Sequence, residues 1–256
     1  MGKKRRRQRK LDAAVASIQR RYGPLAVVKG KAPTAVGAET VVPHISTGFP
    51  LLDRTLGIGG LPKGRACELL GLPTSGKTTL ALKFLAQAQS HGEVAYIDQA
   101  SYFDPDYAHR CGVNLSQLVS CTPQNAQETL YSIEALVRSG SLSALVLDTL
   151  DFLWIDPGTT GQLAATLKRL AAPLADSGTI LLALHESAAG SSPSLTALGH
   201  IAAVRLQVVR ERWVRHYGDV RGYVARVEVL KNKRGPTGGK VTIAIKFNGT
   251  VRGNGL

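Results

Sequence analysis

Residues 71–79 run Gly71, Leu72, Pro73, Thr74, Ser75, Gly76, Lys77, Thr78, Thr79, a complete G-x-x-x-x-G-K-[ST] spacing. The mostly apolar stretch 66–70 precedes it and the helix-forming stretch 80–88 follows it. A phosphate-binding loop needs that setting, because its chemistry is done by a backbone curled between a strand and a helix. Gly71 and Gly76 allow successive N–H groups to face one concavity, and the helix N-terminus adds partial positive charge there. Lys77 can then reach the terminal phosphates of a nucleoside triphosphate, and the Thr78 hydroxyl can hold a Mg²⁺ ion that bridges them. A glycine-rich turn that happens to carry a lysine would not be flanked by both elements.

Charge points to a second partner. The formal net charge is +14 over 256 residues, and it is segregated. Residues 1–10 contribute Lys3, Lys4, Arg5, Arg6, Arg7, Arg9 and Lys10 with no acid, and residues 204–256 carry twelve basic and three acidic side chains. Residues 11–203 are close to neutral, with thirteen basic and fifteen acidic. Two cationic ends on a neutral nucleotide-binding body suit a polyanion, and sequence-independent contact with DNA phosphates is the expectation. The seven cations of residues 1–10 read as a disordered arm that touches DNA; a solvated tail that serves solubility is the plainer reading. No run approaches the ~18 apolar residues of a membrane span, no signal peptide is apparent, and an acidic membrane surface is disfavoured by the lack of an apolar anchor. Cys67, Cys111 and Cys121 show neither a CxxC pair nor metal-ligand spacing, which fits a reducing cytoplasm.

These residues need elements to hold them. Leu11, Ala14, Val15, Ile18 and Tyr22 form one apolar stripe at helical spacing, stopped by Gly23-Pro24. A single helix of that length is marginal in water, so residues 11–43 read as an N-terminal helix, which must dock on this molecule or on another one, and a linker. The body spans 44–256. Within it, strands are expected at 66–70, 94–98, 144–148 and 179–184, and helices at 80–88, 124–139 and 160–176. Residues 204–215 and 223–231 read as a hairpin around Gly218-Asp219, with a last strand at 241–247. This βαβ alternation gives an α/β fold, a mostly parallel twisted sheet with helices on both faces and an antiparallel C-terminal extension.

The segments ISTGFPLLDRTLGIGGLPKGR, ELLGLPTSGKTTLAL, YIDQASYFDPDYAHRCGV, LVLDTLDFL and VEVLKNK together resemble the bacterial RecA recombinases from Leu11 to about Val251. The resemblance implies a RecA-like P-loop NTPase core that uses ATP and Mg²⁺, with the N-terminal helix packed on the next subunit of a filament. Asp148 is similar to the acid that holds Mg²⁺ through water. Asp104 and Tyr107 match positions that touch adenine, and Phe247 another ring near the base. Lys231 and Lys233, on one face of a strand, match lysines that reach the γ-phosphate of a neighbouring subunit.

The departures carry as much information. The family's water-positioning glutamate falls on Ala100, which can neither polarise nor orient water. Its γ-phosphate-sensing glutamine falls on His185, followed by Glu186. Both DNA-binding loops, around 154–158 and 187–194, are short, and the family's C-terminal domain has no counterpart. The expectation is an ATP- and DNA-binding protein of repair or recombination with weak or absent hydrolysis. Two alternatives remain open: an accessory protein of the translesion-synthesis or cell-division-inhibitor type that docks on a recombinase or polymerase, and an ATPase in which Glu186 or Gln99 places the water.

Overall fold

The computed structural model describes residues 2–23, 42–148, 157–186, 199–247 and 251–253. The expected short loops at 187–194 and most of 154–158 lie outside these residues. By internal contacts the chain divides into two units, residues 1–40 and 41–256.

The first unit contains one described helix, α1, Gly2–Tyr22. It includes residues 2–10, which read from the sequence as a disordered arm. Lys, Arg and Gln are good helix formers, and nothing breaks the run before Gly23. Leu11 and Ile18 of its apolar stripe are 55% and 38% exposed.

In the second unit, β1 (His44–Ile45) and β2 (Leu61–Pro62) form a small antiparallel pair around α2 (Pro50–Leu56). The large sheet is built from β3 (Ala66–Leu70), β4 (Glu93–Asp98), β5 (Leu118–Cys121), β6 (Leu142–Asp148), β7 (Ile180–His185), β8 (Val204–His216), β9 (Asp219–Asn232), β10 (Lys240–Lys246) and β11 (Val251–Gly253). Their spatial order is β11-β10-β9-β8-β3-β7-β6-β4-β5. From β8 through β5 neighbours run parallel, and from β8 to β11 they run antiparallel. So 241–247 is not the last strand, because β11 adds to its edge.

The central strands are apolar on both faces, with alternate residues feeding two cores. Val94 and Tyr96 of β4 and Ala144 and Val146 of β6 join one core with Leu80, Phe84 and Leu85 of α3 (Lys77–Ala88). Ala95, Ile97, Leu145 and Leu147 join the other, with Leu130 and Ile133 of α5 (Ala126–Arg138). Between β4 and β5 lies the short α4 (Pro105–Arg110). Residues 160–176, read as one helix, are most of α6 (Pro157–Arg169) and most of α7 (Ala171–Ser177). Pro173 has no N–H to donate and its ring would crowd the carbonyl at 169, so the helix restarts at Leu170 with the proline in a first turn, where it is tolerated. Because β3, β4, β6 and β7 are parallel, Leu70, Asp98, Asp148 and His185 all arrive at the same edge of the sheet.

Candidate functional site

The loop that leaves β3 at that edge borders an open cavity of about 500 Å³, lined by residues 73–79 together with Asp98, Ala100, Tyr102, Asp148, Glu186 and Tyr223. Two glycines are required by the loop's shape. Gly76, at φ 107°, caps α3, and a Cβ there would come within 2.5 Å of Ile245 Cδ1. A Cβ on Gly71 would lie 2.6 Å from the Val208 carbonyl oxygen. Thr74 holds the left-handed conformation, φ 62°, without being glycine; its Oγ1 accepts a 2.7 Å hydrogen bond from Arg210 Nη1 on β8. Long-range pairing of β8 and β9 against β3 therefore helps fix the loop.

Lys77 is buried, and its Nζ donates to the carbonyls of Gly71 at 2.6 Å and Leu72 at 3.1 Å. The Thr78 hydroxyl donates to Asp148 Oδ2 at 3.2 Å, and the Tyr96 hydroxyl donates to the same oxygen. Burial pushes the Asp148 carboxyl above the ordinary carboxylate range, opposed by these two hydroxyls, while Asp98 pushes the same way as burial. Asp98 stands opposite Asp148 in register, but its own oxygens accept from the Ala100 N–H at 3.0 Å and the Phe103 N–H at 2.6 Å. It shapes the turn after β4 and thereby sets the Ala100 methyl in the cavity wall.

Thr78 and Asp148 suit Mg²⁺. Among the described residues no group of three His, Cys, Asp or Glu side chains could hold a metal, and Mg²⁺ typically uses one or two protein oxygens with phosphate and water for the rest. Ser75 Oγ, buried in the loop with no hydrogen-bond partner among the described residues, is a further polar atom available to a phosphate.

The other expected residues are placed as follows. Asp104 caps α4, accepting from the Tyr107 N–H at 3.0 Å. The Tyr107 hydroxyl meets Thr79 Oγ1 at 2.7 Å, beside the phosphate loop. Glu186 is exposed on the cavity wall. His185 is buried at the end of β7, its carbonyl accepting from the Gly71 N–H at 3.1 Å. Phe247 is not among the cavity residues but packs on one, its ring 6.2 Å from that of Tyr223. Lys231 and Lys233 do share a face, yet within this chain they serve the last helical carbonyls at 199–201. Lys231 donates to Gly199 and, at 3.3 Å, to His200, and Lys233 donates to His200 at 2.8 Å. Burial, with Lys233 and Arg205 nearby, pushes the Lys231 ammonium below its usual range.

Sequence reasoning did not single out Tyr96, Tyr102, Tyr223 or Arg210. Tyr223, which burial pushes up to about 12, belongs to a strand some 145 residues downstream of the loop, and no local spacing announces that approach. A buried pair was also missed: Glu68 of β3 faces Arg205 of β8 in register and is paired with it.

The sequence family described as the RecA N-terminal domain matches residues 9–177 of this chain. Protein RecA of Blastochloris viridis is 36% identical over 260 residues, covering 93% of this chain and 74% of that protein. Protein RecA of Rhizobium rhizogenes is 35% identical, covering 96% and 73%. For Protein RecA of Caulobacter vibrioides the figures are 35%, 94% and 73%.

Proposed function

This chain belongs to the bacterial RecA family, and on that premise we propose that it binds ATP with Mg²⁺ and DNA in recombination or repair while hydrolysing the nucleotide slowly or not at all. Several features support the nucleotide half. Lys77, now on its own loop's carbonyls, can exchange them for the terminal phosphates, which the α3 N-terminus also attracts. Thr78 and Asp148 would hold Mg²⁺. The bound ion supplies neutralisation of charge on the phosphate oxygens. Tyr107, beside Thr79, and Asp104, which caps the same helix, would form the adenine side, with Tyr223 and the Phe247 ring packed on it next to them.

One observation carries the slow-turnover half: Ala100 forms the cavity wall where a water-positioning carboxylate is required. Loss of a positioned base typically costs 10²–10⁴-fold in rate. Glu186 borders the same cavity and is the acid that could replace it. For DNA, the support is the row of exposed cations Arg6, Arg7, Arg9 and Lys10 on α1 and the basic β8–β10 sheet. A steady-state ATPase assay with and without DNA tests the reading. The parent should turn over slowly in both conditions, and Ala100→Glu should accelerate it by roughly tenfold or more. Rapid parental turnover that disappears in Glu186→Gln would place the base at Glu186 and defeat the proposal.

A further inference from the structure

The β8–β9 hairpin turns through Tyr217 and Gly218, both at positive φ, 48° and 88°. That two-residue turn matches the right-handed strand twist, and its first position favours Asn, Asp or Gly. A tyrosine there is held in a region that costs an L-residue roughly 1–2 kcal/mol, and its ring gains little burial in return. Tyr217 is 96% exposed, touching the His216 ring at 4.4 Å between centroids. An outlier of this kind needs a use.

Its surroundings indicate one. Below the tip is an open cleft of about 560 Å³ lined by Val214, Arg215, His216, Val220, Arg221, Lys246 and Phe247. Three cations converge on it, and Asp219, paired with Arg221 at 3.1 Å, is the acid beside them. Phe247 continues inward to Trp213, 6.3 Å away, whose ring carries the Arg210 guanidinium at 4.2 Å. Cations interleaved with half-exposed rings are the arrangement that takes a single strand, its phosphates on the charges and its splayed bases on the π-faces. A duplex offers the same phosphates but keeps its bases stacked.

We infer that the distal β8–β9 hairpin is a single-stranded nucleic-acid site, with Tyr217 as a base-stacking platform and Arg215, Arg221 and Lys246 as its phosphate contacts. This rests on the DNA-binding reading above and assigns it a strand form and a place.

The substitution Tyr217→Asn separates function from folding, because asparagine tolerates the left-handed turn better than tyrosine does. Its Tm should match or exceed the parent's. Its affinity for a fluorescein-labelled oligo(dT) should fall at least about fivefold, the range of one lost base stack, with an unchanged salt slope and unchanged duplex affinity. The pair Arg215→Gln and Arg221→Gln should instead flatten the single-strand salt slope by about 1.4, roughly 0.7 for each phosphate contact. Both effects should persist when residues 1–10 are deleted. If Tyr217→Asn binds oligo(dT) as the parent does, the hairpin site is wrong, even where deletion of 1–10 shows that DNA binds elsewhere. Loss of self-association with DNA affinity intact would make the patch a protein interface and overturn the inference equally. A parent that binds neither strand form would sink the DNA reading along with it.

Discussion

In the proposed phosphate site, Lys77 would meet the terminal phosphates and Thr78 the metal ion that bridges them. The Lys77 ammonium is surrounded by carbonyl oxygens at 2.6 and 3.1 Å, so its own loop keeps it compensated until a triphosphate arrives. Each hydrogen bond to a charged group contributes roughly 1.5–3 kcal/mol. Lys77→Ala should therefore weaken ATP binding by about a hundredfold or more, measured by calorimetric titration with Mg²⁺ present. The loop was legible in the sequence as a local spacing beside a strand end, whereas Asp148 and Ala100 were singled out through the resemblance to the family. Tyr96 and Tyr223 were not. Which side chains reach a phosphate loop from β4 or β9 depends on strand order and register, and neither is encoded in any window of adjacent residues.

Among the elements, the inner parallel strands β3, β4, β6 and β7 and the helix α3 were readable from continuous apolar runs and helical periodicity, whereas β5, α2 and α4 were not. The β5 sequence Leu118–Cys121 is half exposed at the sheet edge and shows no clean alternation; α2 and α4 are seven and six residues long, too short for a periodic signal. The join between the parallel and antiparallel halves of the sheet depends on a buried charge. Glu68, 1% exposed, is held against Arg205 between β3 and β8. Burial pushes the Glu68 carboxyl up and Arg205 opposes it. Removing one partner of such a pair typically costs about 3–5 kcal/mol, so Arg205→Ala should lower the urea midpoint substantially. A carboxyl whose folded-state pKa lies above its unfolded value binds more protons when folded, so stability falls as pH rises past the unfolded value. The Arg205→Ala defect should accordingly shrink on acidification. A pH-independent defect would mean that lost packing by the arginine stem dominates.

For the whole molecule, the question is what α1 does. Its Leu11 and Ile18 are exposed, and helices in proteins draw most of their stability from packing an amphipathic face. We propose a neighbouring subunit as the acceptor, with Lys231 and Lys233, which now bond the 199–201 carbonyls, turning to that neighbour's ATP. Nucleotide and assembly are then linked, since a ligand that binds the joined state better favours it. Sedimentation should show larger oligomers with ATP or a slowly hydrolysed analogue, and Ile18→Asp should abolish them while single-subunit ATP binding is retained. A parent that stays monomeric at every concentration, with or without nucleotide and DNA, would leave both lysines as helix-end caps. The central claim, a chain that holds ATP and leaves it intact, is tested most directly by identifying the nucleotide it retains. The protein is incubated with Mg²⁺, ATP and saturating single-stranded DNA, and after rapid desalting the bound nucleotide is separated and quantified. Near-stoichiometric ATP with a small ADP fraction, absent in Lys77→Ala, is the result the account predicts. Bound nucleotide that is mostly ADP, or none bound at all by the parent, would contradict it.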